Sequence, residues 1–309
     1  MSQPTVPVCY RHPSRETYLR CSRCNRPICP SCMHDAAVGH QCPECVAAGR
    51  SSQRSARTAF GGTPAGQHGH VTMALIGLNV AVAVVVLVVG GAQAAGGGGW
   101  GGLLGGITPA HVWGGMITGE PGLTIGYTDR AGALLATAAG VVNGEYYRLL
   151  TSMFLHYGIF HLLLNMYALW IVGGALEPLL GRLRFLALYL VSGIGGGVAT
   201  FLFGSTETIS AGASGAVFGL FAAFYILMRR LGRDTSMITT ILVINLVLTF
   251  LVPNISIWGH LGGLVTGGLV ALGLAYAPAR SRTPVQFTTV AGVVVLLLVL
   301  TVARTAALS

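Results

Sequence analysis

The chain has no lysine, and all 18 of its basic residues are arginine. Charge of either sign is scarce: charged residues make up 9% of the 309 positions and apolar residues 53%. Ordinary soluble domains carry roughly 25% charged residues, so a soluble globular fold is excluded. No acidic or basic side chain is expected inside any of the long apolar runs, and no internal repeat is evident. Both absences argue against a transporter, which needs buried charges and related halves. No His-Glu-x2-His string occurs, so a zinc-protease helix has no support. No signal peptide is evident, because the chain opens with a polar, cysteine-rich stretch and its first apolar run starts near Val71. That run is expected to stay as an uncleaved anchor. Heavy use of Ala, Gly, Val and Arg without lysine points to a GC-rich bacterial genome, and hence to a cell membrane.

What is present is a series of charge-free apolar runs at about 71–90, 153–176, 185–203, 210–228, 236–252, 255–276 and 285–303. Most approach the roughly 20 residues that a helix needs to cross hydrocarbon. The fold class expected is an all-α polytopic membrane protein with seven spans. Arginines decide the orientation, since short arginine-rich loops are retained in the cytoplasm. Eight precede the first run, and Arg182, Arg184, Arg229, Arg230, Arg233, Arg280 and Arg282 follow runs two, four and six. Only Arg130, Arg148 and Arg304 fall on the other side. The N-terminus is therefore expected inside and the C-terminus outside. An anionic inner leaflet accounts for the net charge of +9 without a nucleic-acid partner.

All seven cysteines lie between residues 9 and 45, as Cys9-x2-His12, Cys21-x2-Cys24, Cys29-x2-Cys32 and Cys42-x2-Cys45. Seven thiols and one imidazole supply eight ligands, enough to close two tetrahedral zinc sites of structural type. Only four residues separate Cys24 from Cys29, which favours a cross-braced pairing of the first pair with the third and the second with the fourth. A sequential pairing remains open. Disulfides are disfavoured by an odd cysteine count and an expected cytosolic location. A module of some 48 residues is too small for an adequate apolar core, so two zinc ions would hold it together. His34 and His40, near the last pair, could replace a thiol in one site, but are expected at the surface because the eight-ligand count already closes. Its expected role is docking of a cytoplasmic partner, or regulation. Residues 49–70 read as a flexible basic tether, with no ligand role for His68 or His70. The pattern of the module resembles a B-box-type zinc finger.

Within the apolar region, expected at 71–303, four polar groups fall near the outer ends of runs that enter from outside. They are His161 and Asn165 in run two, Ser214 in run four and His260 in run six. An imidazole in hydrocarbon is costly and needs a reason. A serine hydroxyl becomes nucleophilic when a neighbouring base removes its proton, so Ser214 and His260 together would form a dyad. Asn165 alone reads as an interhelical structural bond, but it shares a helical face with His161, so both could aim donors at an oxyanion, with the Ser214 backbone N–H as a third candidate. Gly259, Gly263 and Gly267 in run six, and Ala211, Gly215 and Gly219 in run four, would let the two helices approach closely.

These residues resemble the rhomboid family of intramembrane serine proteases over about residues 71–303. The resemblance rests on Gly212-Ala213-Ser214-Gly215, on His161-x3-Asn165, on Gly259-His260, and on the Tyr147-Arg148 to His156 entry. It implies a six-helix core plus a seventh C-terminal helix, a Ser214 and His260 dyad, and transmembrane protein substrates cut near the external face. The family often has Trp-Arg at the position of Tyr147-Arg148 and a tyrosine at the position of Phe218. Phe218 keeps a ring to stack on His260 but has no hydroxyl to donate. His156 is expected to hold a hydrogen bond or a water. The external 91–146 segment would be a hairpin partly embedded in the outer leaflet, with Ala131–Val142 its apolar part and a glycine-rich insertion around Trp100. A non-cleaving binding protein of the same fold is the alternative.

Overall fold

The computed structural model describes residues 6–52, 57–64, 69–96, 105–129, 132–252 and 255–308. Arg54, His68, Trp100, Arg130, Ala131 and the glycine-rich 97–104 stretch lie outside the described residues. The chain divides into two compact units, Met1–Ala56 and Arg57–Ser309.

The first unit is built on turns, with one two-stranded antiparallel ribbon, β1 (His34–Asp35) and β2 (His40–Gln41), and one helix, α1 (Pro43–Ser52). Its interior consists of Ile28 and the sulfurs of Cys9, Cys21, Cys29, Cys32 and Cys42. An interior this small buries little apolar area, as expected of a module held together by metal.

The second unit is helical: α2 (His70–Gly90), α3 (Pro109–Gly114), α4 (Gly158–Leu180), α5 (Arg182–Phe203), α6 (Ser214–Arg230), α7 (Ser236–Leu251), α8 (Ile257–Tyr276) and α9 (Arg282–Leu308). Among the described residues five helices are long and apolar enough to cross a membrane: α2, α4, α5, α8, and α9 with its leading turn. The chain is a multi-pass membrane protein. α6 and α7 are shorter, at 17 and 16 residues. Burial ranks the helices, with 67% of α5 inside the bundle against 17% of α2 and of α9. α5, α6 and α8 pack most extensively on one another and form the centre, and α2, α7 and α9 lie outside.

The centre is held by glycine. A Cβ on Gly263 would collide with the carbonyl oxygen of Gly215, and one on Gly267 with the backbone of Gly219. A Cβ on Gly196 of α5 would come within 2.6 Å of the Gly259 carbonyl oxygen. Hydrocarbon tails solvate apolar side chains as well as a protein does, so close backbone approach of this kind is what brings membrane helices together.

Two helices begin later than the apolar runs suggest. The run expected at 210–228 is helical only from Ser214, because Gly212 has φ +138° and Ser210 forms a two-way backbone bridge with Met116. The run expected at 153–176 begins its helix at Gly158, φ +80°, after a short turn at Ser152–Phe154. α4 then continues through a π turn at Leu169–Gly173 to Leu180.

That extension brings a carboxylate into the bundle, which corrects the expectation of charge-free spans. Glu177 is fully buried and accepts from Val71 N, Thr72 N and Thr72 Oγ1 at 2.8–2.9 Å. It satisfies N–H groups that the first turn of α2 leaves without helical partners, so the buried charge is compensated.

Part of the expected tether is docked. Phe60 is buried, its N–H donates to Leu179 O, and its carbonyl accepts from Gln286 Nε2. Arg282 donates to Ala59 O. Residues 57–64 therefore belong to the helical unit, because Gln286 and Arg282 on α9 supply donors for their backbone.

Between α2 and α4 the chain forms α3 and an antiparallel hairpin, β3 (Ile125–Thr128) with β4 (Leu134–Ala138). The stretch expected as the apolar part of a leaflet hairpin is thus a strand followed by a turn at Val141–Asn143. Arg148, 1% exposed, ties this region down by donating to Glu145 Oε2 and to the carbonyls of Val112 and Gly115.

Candidate active site and metal sites

Ser214 is the first residue of α6, His161 lies in the first turn of α4, and His260 lies in the first turn of α8. Three helix N-termini therefore converge on one place. Their unpaired N–H groups and positive dipole ends favour developing negative charge. Ser214, His260, His161 and Asn165 all line one cavity of about 220 Å³, together with Tyr157, Phe218 and Thr249. A second cavity of about 40 Å³ also reaches Ser214, and Ser152, Thr200, Ser210 and Ser256 are among the residues that line it. Methionines and glycines line most of the rest of it, and it exceeds the roughly 10–15 Å³ that one water requires.

The approach to Ser214 is fixed from both sides. Gly212 N donates to Ser152 O at 3.0 Å, and Ala213 N donates to His156 Nε2 at 3.4 Å. His156 thus holds the serine turn by a hydrogen bond. A side chain at Gly212 would strike the His161 ring, its Cβ 2.9 Å from Nε2, and that Cβ position is 3.6 Å from Ser214 Oγ. Glycine leaves this space open between the imidazole and the hydroxyl.

Hydrogen bonding sets the His161 tautomer. The backbone N–H of Tyr157 donates to His161 Nδ1 at 3.3 Å, so a neutral ring carries its proton on Nε2, the atom beside Gly212. His161 therefore presents a donor. Asn165 Nδ2 donates to His161 O at 3.0 Å with one of its two hydrogens.

His260 is 9% exposed and stacks on Phe218, with ring centroids 4.2 Å apart and planes 19° apart. Its Nδ1 lies 2.7 Å from Thr249 Oγ1. Among the described residues no hydrogen bond joins His260 to Ser214, which is common in resting enzymes whose reacting contacts tighten on substrate binding. Ser256 caps α8, its hydroxyl accepting from Gly259 N at 3.2 Å.

Sequence reasoning did not single out Thr249 or His111. Thr249 follows Asn245 by four residues in an apolar run, and polar side chains at that spacing mark a helix face turned inward. His111 stacks on Tyr157 at 4.6 Å and donates from Nε2 to His156 O. It lies in a segment without readable periodicity, so no signal pointed to it.

In the first unit Cys9, His12, Cys29 and Cys32 form one group, and Cys21, Cys24, Cys42 and Cys45 another. The donor atoms of each lie within 4.8 Å of one another. The pairing is first with third and second with fourth, the cross-braced choice. Cys24 Sγ and Cys42 Sγ are 3.8 Å apart, about the edge of a tetrahedron with metal–sulfur bonds of about 2.3 Å. His12 turns Nδ1 to Cys29 and Cys32 at 3.4 and 3.3 Å. Burial raises the Cys9 and Cys21 thiols, but main-chain N–H donors outweigh it and leave both lowered to about 6. Both groups fit a metal ion. His34 and His40 lie outside them, and His40 pairs instead with Asp35 at 3.0 Å.

A bundle of apolar helices with a serine and two histidines at three converging helix starts defines a class of polytopic membrane protein built around one internal polar site. Residues 143–277 match the Rhomboid domain. The chain is 41% identical over 137 residues to the putative rhomboid protease YdcA of Bacillus subtilis, an overlap of 43% of this chain and 69% of that protein. It is 45% identical over 152 residues to the rhomboid protease GluP of the same organism, covering 46% of this chain and 29% of that one. RHOMBOID-like protein 2 of Arabidopsis thaliana is 39% identical over 139 residues, 43% of each chain. The chain belongs to the rhomboid family. It spans less than a third of GluP, and its cysteine-rich module lies outside the matched residues.

Proposed function

We propose that the protein is an intramembrane serine endopeptidase that cleaves transmembrane protein substrates near the external face. The observation that carries this reading is the single cavity shared by Ser214, His260, His161 and Asn165. Ser214 is the nucleophile and His260 the general base. As Ser214 Oγ bonds to the scissile carbonyl carbon, its proton passes to His260. The negative charge on the former carbonyl oxygen is met by His161 Nε2–H, Asn165 Nδ2–H and the Ser214 backbone N–H. The C–N bond then breaks, His260 returns the proton to the leaving amine, and water releases the acyl-enzyme by the same steps. The small cavity that Ser214 shares with Ser152, Thr200, Ser210 and Ser256 is large enough to keep a water near the ester. A helical substrate hides its carbonyls in intrahelical bonds, so segments rich in helix-weakening residues are preferred.

Seven spans are assigned, with α6 and α7 as the two short ones. The N-terminus is cytoplasmic and the C-terminus external, in the cell membrane, as the arginine distribution favours. We assign a B-box-like module with two structural zinc ions to the first unit, Met1–Ala56, and count residues 57–64 of the expected linker with the helical domain; the module serves a cytoplasmic partner. Cys9, His12, Cys29 and Cys32 would hold one ion, and Cys21, Cys24, Cys42 and Cys45 the other. Zinc supplies folding energy there and takes no part in proteolysis.

Reconstitution with a model transmembrane substrate tests this reading. Cleavage is expected with wild type and is lost in Ser214→Ala and in His260→Ala of equal melting temperature. Retained cleavage in either variant rejects the dyad. Capture of the substrate without cleavage by wild type supports a non-cleaving binding protein of the same fold.

A further inference from the structure

His260 has no carboxylate partner among the described residues, yet its second ring nitrogen is engaged. Thr249 on α7 is 1% exposed. Its Oγ1 lies 2.7 Å from His260 Nδ1 and 2.8 Å from the carbonyl oxygen of Asn245 one turn back. A threonine hydroxyl has one proton and can accept as well, whereas a carbonyl only accepts. With the hydroxyl proton on Asn245 O, the contact with the ring requires Nδ1 to be the donor. A neutral imidazole carries a single N–H, so Nε2 is left with its lone pair.

We propose that Thr249 is a positioning residue that holds His260 as its Nδ1–H tautomer, so that Nε2 can take the proton of Ser214; this rests on the reading of Ser214 and His260 as a dyad. The alternative arrangement, with the hydroxyl donating to Nδ1, would put the proton on Nε2 and leave Ser214 without a base. When Nε2 takes the proton, the Nδ1–H bond to Thr249 becomes charge-assisted and strengthens. A neutral hydroxyl thus does part of what a carboxylate does in a triad, and does so without placing a charge in an apolar bundle.

Two further observations support the assignment. Of the 16 residues of α7 only Ile238 and Thr249 are buried, so Thr249 is the one polar side chain that this peripheral helix buries. The Phe218 stack fixes the plane of the imidazole but permits rotation within that plane. A hydrogen bond at Nδ1 removes that remaining freedom, and the two contacts together define where Nε2 points.

The test uses the full chain in detergent, labelled with ¹⁵N in the histidine rings, with the His260 resonances assigned by their loss in His260→Ala. Wild type and Thr249→Ser are expected to show a protonated Nδ1 and a bare Nε2. Thr249→Val, similar in shape but without the hydroxyl, is expected to shift the ring toward Nε2–H. In parallel, labelling of Ser214 by a fluorophosphonate is expected to slow about tenfold in Thr249→Val, the scale of one hydrogen bond, and to stay within about twofold in Thr249→Ser. An unchanged tautomer and labelling rate in a folded Thr249→Val overturns the proposal. So does an equal loss in Thr249→Ser, which would mark a packing role. A wild type that shows the expected tautomer but never labels rejects the dyad reading, and the positioning role of Thr249 in it.

Discussion

Phe218 lies flat against the imidazole of His260, with centroids 4.2 Å apart, one turn along α6 from Ser214. The helix that carries the serine thus also carries the platform for the histidine. Phe218→Ala removes both the stack and a buried ring. It should cost about 3 kcal/mol of stability and reduce cleavage more than tenfold, whereas Phe218→Tyr should stay close to wild type. Thermal unfolding and substrate cleavage measured on both variants check this.

The contact between Gly215 and Gly263 brings the serine helix onto the histidine helix. Gly263→Ala must push the two backbones apart and should destabilise the bundle by about 3 kcal/mol. Gly292 on α9, where a Cβ would meet nothing within 4 Å, provides the control, and Gly292→Ala should be neutral. Detergent melting curves separate the two.

Glu145 gives the segment between α2 and α4 a pH dependence. Burial raises its carboxyl, but Arg148, 2.7 Å away, and the N–H groups of Gly140 and Ala139 hold it below the ordinary glutamate range. A depressed carboxyl contributes stability above its unfolded pKa and loses it as pH falls through its folded value. The melting temperature should therefore fall as pH drops below about 4.3. Glu145→Gln should cost about 2 kcal/mol of stability at neutral pH, lower the melting temperature there and flatten the acid decline.

Metal content tests the first unit separately. Purified protein should hold two zinc ions per chain, and a strong chelator should unfold residues 9–45 while α2 to α9 keep their helical signal. Less than one zinc per chain would reject the assignment. Cys24→Ser should reduce the content to about one, since Cys24 belongs to a single group.

Much of this architecture could be read from residue spacing. The paired cysteines, the apolar runs and the glycine stripes each obey a local rule, and the structure brings together the ligand groups and the helices those rules suggested. His161 and His260 were legible because an imidazole in an apolar run is costly, and Ser214 through its combination with His260. Helix starts were not, since Gly158 and Gly212 are read as helical by hydropathy and only their positive φ breaks the run. Glu177 was missed for a related reason: a buried carboxylate is paid for by donors on another helix, which no local pattern reveals. Thr249 and His111 act through partners 11 and 45 residues away. The docking of Phe60 depends on Gln286 at the far end of the chain. Composition marks 57–64 as tether because it does not register such distant donors.

The most direct measurement is fluorophosphonate labelling of the purified, folded full chain, comparing wild type with Ser214→Ala and His260→Ala. The account predicts labelling of wild type at Ser214 and none in either variant. Labelling that persists in His260→Ala at the wild-type rate would contradict it, because the serine would then be activated without its base.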